Sequence, residues 1–89
     1  MAVLVIADVE GQTPEMYDGM LAQLGEALRG ARGFISHLAG PNGASWRVIE
    51  VWETKEDATK FFAEVVHPNL PPGVKPRRSL HEVHALLTK

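Results

Sequence analysis

One stretch constrains this chain more than any other: Ser45-Trp46-Arg47-Val48-Ile49-Glu50-Val51-Trp52-Glu53-Thr54-Lys55-Glu56-Asp57-Ala58. Its first half is aromatic and β-branched, as a strand requires. Its second half opens with a helix cap, leaving no room for a loop between the two. Side chains alternate across a strand, so Trp46, Val48, Glu50 and Trp52 share one face. Two indoles flanking a carboxylate are costly to bury unless polar groups meet them. Two readings follow. Either this face is the wall of a ligand pocket, or both indoles fill the core and Glu50 pairs with a nearby Arg or His.

The rest of the chain supplies the partners of that strand. Residues 2–9 are β-rich and apolar on both faces, which predicts a strand covered on both sides. Gly11-Gln12 breaks it. Thr13-Pro14-Glu15 then opens a helix, with Thr13 as N-cap, Pro14 in the first turn and Glu15 favourable to the dipole. Tyr17, Met20, Leu21, Leu24 and Leu28 form one apolar stripe at helical spacing, ended by Gly30 and Gly33. Phe34 to Ala39 reads as a second strand. Gly40-Pro41-Asn42-Gly43 reads as a hairpin turn into the third, Trp46 to Glu53.

Thr54 caps a second helix, close to a capping box with Asp57 in place of Glu. Its buried stripe is Ala58, Phe61, Phe62, Val65 and Val66, and Pro68 stops it. Pro71-Pro72-Gly73 and Pro76 predict a stiff loop, and Leu80 to Leu87 a last strand. The order β-α-β-β-α-β predicts an α+β, ferredoxin-like domain over residues 1–89. It would be a four-stranded antiparallel sheet with both helices on one face. On the other face Val3, Val5, Ile49, Val51, Val83, Ala85 and Leu87 form an apolar set. Such a face marks an interface, and two sheets packed face to face would make a symmetric homodimer.

Composition removes several classes of function. A net charge of −2 offers no basis for nucleic-acid binding or for an acidic membrane partner. No apolar run approaches membrane-spanning length. The apolar start, Met1-Ala2-Val3-Leu4-Val5-Ile6, lacks a basic segment and a cleavage site and is expected to be a strand, not a signal peptide. The absence of cysteine excludes thiol catalysis, disulfides and Cys-based zinc sites, and suits an expected cytoplasmic location.

The chain resembles the dimeric α+β barrel superfamily, and within it the small antibiotic-biosynthesis-monooxygenase-like proteins. The resemblance covers nearly the whole chain. It rests on Gly33-Phe34 opening strand two, on Val48 through Ala58, and on the apolar last strand. It implies a ligand cavity inside each subunit, between helices and sheet, on the face of Trp46, Val48, Glu50 and Trp52. Members include cofactor-free oxygenases of phenolic polyketides, haem-degrading oxygenases, polyketide cyclases and lactone isomerases, so the fold does not settle the reaction. Haem degraders carry an asparagine on strand one and a Trp and His on helix two. Here Val5 and Phe61 stand at the first two positions, and His67 comes too early for the third. Plant cyclases carry His-Pro-x-His after helix two. This chain has His67-Pro68-Asn69-Leu70, with Leu70 at the catalytic position and Glu64 where the cyclases have a helix Tyr.

The histidines complete the reading. His81 and His84, three apart on the expected strand, point to opposite faces and cannot chelate one metal together. His67 reads as a helix C-terminal cap and His81 as a surface or interface residue. His84 and Glu82 are expected to face the cavity if Val83, Ala85 and Leu87 face the dimer. His37 reaches the same cavity if Ile35, His37 and Ala39 are the inward set. For both His84 and His37 the alternative is a hydrogen-bonded strand residue. A histidine beside a carboxylate in a dry pocket suits a general base.

The resemblance implies a cofactor-free monooxygenase-type enzyme acting on a small aromatic or polyketide-like substrate, and the missing haem set, phosphate loop and chelating histidine spacing lead to the expectation of no haem, flavin or metal. His84 or His37 would act as base and Glu50 as its partner. Tyr17, Leu21, Leu24, Trp46, Val48, Trp52, Phe61, Phe62, Val65 and Leu86 would line the pocket. The alternatives are a non-oxidative cyclase or isomerase on the same base, or a non-catalytic accessory dimer that holds a hydrophobic ligand.

Overall fold

The computed structural model describes residues 1–89. Four strands and two helices follow in the expected order: β1 (Val3–Glu10), α1 (Pro14–Arg29), β2 (Phe34–Asn42), β3 (Ser45–Trp52), α2 (Lys55–Phe61) and β4 (Lys75–Glu82). The strands make one antiparallel sheet in the order β2-β3-β1-β4, so β1 and β3 are central and β2 and β4 are edges. This is the α+β, ferredoxin-like arrangement. No helix is long and apolar enough to cross a membrane.

Local chemistry sets the helix starts. Thr13 Oγ1 accepts from the Met16 N–H, and Thr54 Oγ1 accepts from the Asp57 N–H, both at 3.1 Å. After Phe61 the second helix widens. The His67 N–H reaches back to the Phe62 carbonyl, one π-helical turn over Phe62–Val66, before a short 3₁₀ turn over His67–Asn69. Gly33 takes a left-handed φ of 82°, and a Cβ there would collide with the Asp57 side chain, so this junction requires glycine.

The core lies between helices and sheet. Val5, Leu28, Trp52, Ala58, Phe61 and Phe62 form its main cluster, and Ala7, Val9 and Val74 a second. Val5 is 1% exposed, which corrects the expectation that Val3 and Val5 belong to the outer face. In β1 the odd residues turn toward the helices. The outer apolar set is instead Leu4 and Ile6 on β1, Ile49 and Val51 on β3, and Leu38 on β2, as the cross-strand pairing requires.

Two boundaries also differ from expectation. The hairpin turn is Gly43-Ala44, and Gly40 and Pro41 belong to β2. The last strand runs from Lys75 to Glu82, not from Leu80 to Leu87. Both shifted strands contain a proline, Pro41 and Pro76. Proline is tolerated there because each strand is a sheet edge that bonds on one side only. Val83 still donates its N–H to the Ala2 carbonyl, but the chain beyond it is not a strand, and Leu86 and Leu87 are 50% and 96% exposed.

Candidate active site

The inward face of β3 places Val48 and Glu50 against a cavity of about 110 Å³ between sheet and helices. The α1 stripe, with Tyr17, Leu21 and Leu24, lines it from the helix side, together with Phe61 and Phe62. A β-bulge in β2 then decides the chemistry. Phe34 pairs with Trp52, but Ser36 pairs with Val51, so β2 carries one extra residue at Ile35. Side-chain parity switches across it. Phe34 points into the core with Trp52, and His37, three residues on, also points inward, directly across from Glu50. Ala39 follows His37 on that face, whereas Ile35, expected with them, is 37% exposed.

A chain of three side-chain hydrogen bonds results. Glu50 is 7% exposed, and both its oxygens are engaged. Trp52 Nε1–H donates to Glu50 Oε1 at 2.8 Å, and His37 Nδ1 meets Glu50 Oε2 at 2.6 Å. On the far side of the imidazole, His37 Nε2 meets the Tyr17 hydroxyl at 2.5 Å. A carboxylate only accepts, so Nδ1 carries the proton toward Glu50. In the neutral imidazole Nε2 is then a lone pair, and Tyr17 donates to it. The Tyr17 and His37 rings stack nearly parallel, 13° apart, and Trp46 backs Tyr17 at 5.2 Å. Burial, and then the negative charges of Glu50 and Asp18, push the Tyr17 hydroxyl above its ordinary value of 10.0.

An arrangement of this kind can pass a proton: a phenol can exchange one with a histidine that a carboxylate orients and whose cation that carboxylate can stabilise. The Trp46–Trp52 face divides. Trp52 is fully buried and serves the core and Glu50, whereas Val48 and Glu50 face the cavity. Trp46 and Val65 support the walls without lining the cavity.

His84 is not in the site. β4 ends at Glu82, and His84, with Glu82 and Leu86, is exposed at the C-terminal end of the chain. His81 faces out beside Ser79 at 2.9 Å. In place of His84, β4 delivers a residue that sequence reasoning missed, Arg78. It pairs with Ala7 and so takes an inward position. Its guanidinium lies 4.2 Å above the centroid of the Phe62 ring, and its Nη1–H donates to His67 Nε2 at 2.8 Å. Burial lowers its pKa from the ordinary value, and the Glu50 charge works in the opposite direction. The expected start of the strand at Leu80 hid Arg78 in a proline-flanked loop. The alternation Pro76, Arg78, Leu80 on one face was the signal that would have found it. Gln12 Oε1 at the cavity, and Trp46 Nε1 behind Tyr17, are buried without a hydrogen-bond partner.

No group of three or more His, Asp or Glu side chains is placed to hold a metal ion. Haem does not suit this cavity either. The one histidine facing it, His37, has both ring nitrogens engaged and leaves none for a haem iron.

Comparison with known proteins places the fold. No protein-family model matches the chain, and no curated protein matches it in sequence. Solved structures do. SnoaB, a cofactor-independent oxygenase from Streptomyces nogalater, superposes with a TM-score of 0.71 at 14% identity, over 99% of this chain and 98% of that one. The haem degrader MhuD from Mycobacterium tuberculosis, whose structure holds two haems in its active site, gives 0.67 at 19% identity, over 97% and 99%. MupZ from Pseudomonas fluorescens gives 0.70 at 14% identity, over 90% of this chain and 66% of that one. The chain therefore has the fold of the antibiotic-biosynthesis-monooxygenase-like proteins. At these identities the likeness carries the architecture and leaves the reaction to the site.

Proposed function

We propose that this protein is a cofactor-independent monooxygenase-type enzyme that acts on a small aromatic or polyketide-like substrate in the cavity above Glu50. One observation carries the reading: the continuous Tyr17–His37–Glu50–Trp52 hydrogen-bonded chain, whose open end meets a largely apolar cavity. The oxygenase fold of SnoaB supports the class.

In the mechanism that follows, the substrate presents an acidic C–H or phenol to Tyr17. Its proton passes to the Tyr17 oxygen as the Tyr17 proton moves to His37 Nε2. Tyr17 thus never becomes a phenolate, in keeping with its raised pKa. The imidazolium formed is held against the Glu50 carboxylate, and Trp52 fixes that carboxylate in place. A relay of this kind contributes about 10²–10⁴ in rate, and the substrate supplies the rest by stabilising its own anion. At a CH₂ carbon the anion adds O₂ to give a hydroperoxide. Loss of water then leaves a carbonyl. One oxygen atom enters the substrate, the other leaves as water, and the two C–H bonds supply the electrons.

The same reading makes the protein a homodimer through the outer sheet face. Leu4, Ile6, Ile49 and Val51 would meet their counterparts there, leaving one cavity in each subunit.

The test is oxygen consumption with a panel of small phenols and 1,3-dicarbonyl compounds. Substrate-dependent oxygen uptake that is lost in Tyr17→Phe and Glu50→Gln supports the reading. Substrate hydrogen exchange with solvent without oxygen uptake would replace it with the cyclase or isomerase reading. Binding with neither would leave an accessory protein.

A further inference from the structure

We infer that the cavity is built for the anion of a small acid, no larger than one aromatic ring, whose charged oxygen sits against the Arg78 guanidinium. The inference rests on the reading of this cavity as the substrate site and names the class of substrate it takes.

Three observations lead there. The first is how Arg78 is held. Phe62 supports one face of its guanidinium, and the neutral acceptor His67 Nε2 fixes one of its donors. Neither contact neutralises it, and Arg78 forms no direct ion pair with any carboxylate of the chain, the Glu50 charge acting on it only at longer range. A guanidinium has five N–H donors, so most remain for another partner. The second is that Glu50, the one acidic residue lining the cavity, has both oxygens taken by His37 and Trp52. A cation brought into a largely apolar wall with donors to spare matches a carboxylate or an oxyanion, and its planar fork favours two parallel bonds. The third is size. A cavity of about 150 Å³ in an engineered protein holds benzene. The space here, about 110 Å³ and partly open to solvent, is of that order, so one ring fills it.

The arrangement also orders the ligand. Arg78 stands on β4 and the Tyr17–His37 pair on α1 and β2, so the anion and the reacting proton are held at different walls of one cavity. A substrate bound this way presents its acidic C–H or O–H to Tyr17 with its charge already met elsewhere.

The experiment is calorimetric titration of the whole protein with three probes: benzoate, its uncharged isostere benzamide, and 2-naphthoate. Saturable benzoate binding is expected, at least about tenfold tighter than benzamide, the scale of a charge-assisted hydrogen bond. Arg78→Gln should remove that preference, and 2-naphthoate should bind more weakly than benzoate. Arg78→Lys keeps the charge and loses the fork, so it should fall between wild type and Arg78→Gln. Equal binding of benzoate and benzamide to the wild type overturns the anion site without any variant that must fold. Tighter binding of 2-naphthoate overturns the size limit, and no benzoate binding overturns both. None of these titrations uses turnover. An enzyme that binds benzoate through Arg78 but consumes no oxygen would refute the proposed reaction and leave the acid site standing.

Discussion

Replacing Glu50 by glutamine separates the structural role of the buried carboxylate from its proposed role in proton transfer. In the wild type its two oxygens accept from Trp52 Nε1–H and His37 Nδ1–H. A glutamine of the same shape still accepts from Trp52 through its carbonyl. Its NH₂ then faces His37 Nδ1, which can remain bonded only as the acceptor. The imidazole must switch tautomer, carrying its proton on Nε2 and donating it to the Tyr17 oxygen. All three hydrogen bonds survive. Two of them change from charge-assisted, about 1.5–3 kcal/mol each, to neutral, about 0.5–1.5 kcal/mol each. The loss of roughly 2 kcal/mol is offset by removing a buried charge whose desolvation costs several kcal/mol. The fold should therefore lose no more than about 1 kcal/mol. Glu50→Ala instead leaves two donors without a partner, at about 1–3 kcal/mol each, and should lose about 3 kcal/mol or more. Activity should follow the opposite logic, because a histidine protonated at Nε2 cannot take the Tyr17 proton, and kcat should fall by about 10²–10⁴. Nitrogen-15 NMR of the His37 ring reports the tautomer, and urea unfolding reports stability, both without a substrate. A glutamine variant that keeps the wild-type tautomer, or that unfolds as easily as the alanine variant, refutes the argument.

Three further outcomes follow from the same contacts. Trp52→Phe keeps most of the core volume but removes the donor to Glu50, so it should destabilise by about 1.5–3 kcal/mol in chemical denaturation. Trp52→Ala adds a cavity, at about 3–5 kcal/mol. Because Tyr17 titrates above its ordinary value of 10.0, its contribution to stability is complete below about pH 10 and is lost as pH rises through the folded-state value. Ultraviolet titration of the phenol should show this, and Glu50→Gln should bring the midpoint down; an unmoved midpoint would mean that Glu50 does not act on Tyr17. Ile49→Lys places a charge on the outer sheet face and should convert a dimer to a monomer in sedimentation, since an unpaired buried charge costs several kcal/mol. A wild-type protein that sediments as a monomer removes the dimer from the proposal.

The sequence by itself determined what local repetition encodes. The alternation of Trp46, Val48, Glu50 and Trp52 placed Glu50 on the inward face, and the stripe from Tyr17 to Leu28 placed Tyr17 over it. The threonine caps positioned both helices. Each of these patterns is settled within a few residues, so no partner strand is needed to read it. The tertiary structure decided what depends on pairing. His37 reaches Glu50 because one extra residue in β2 switches the inward parity between Phe34 and His37, and an extra residue becomes visible only against the partner strand. Arg78 enters the cavity, and His84 does not, because β4 gains its hydrogen bonds from β1, at the far end of the chain. An edge strand with a proline near its start and charges along it carries little local signal of its own. Its register, and with it the cation of the site, is set by the strand it pairs with.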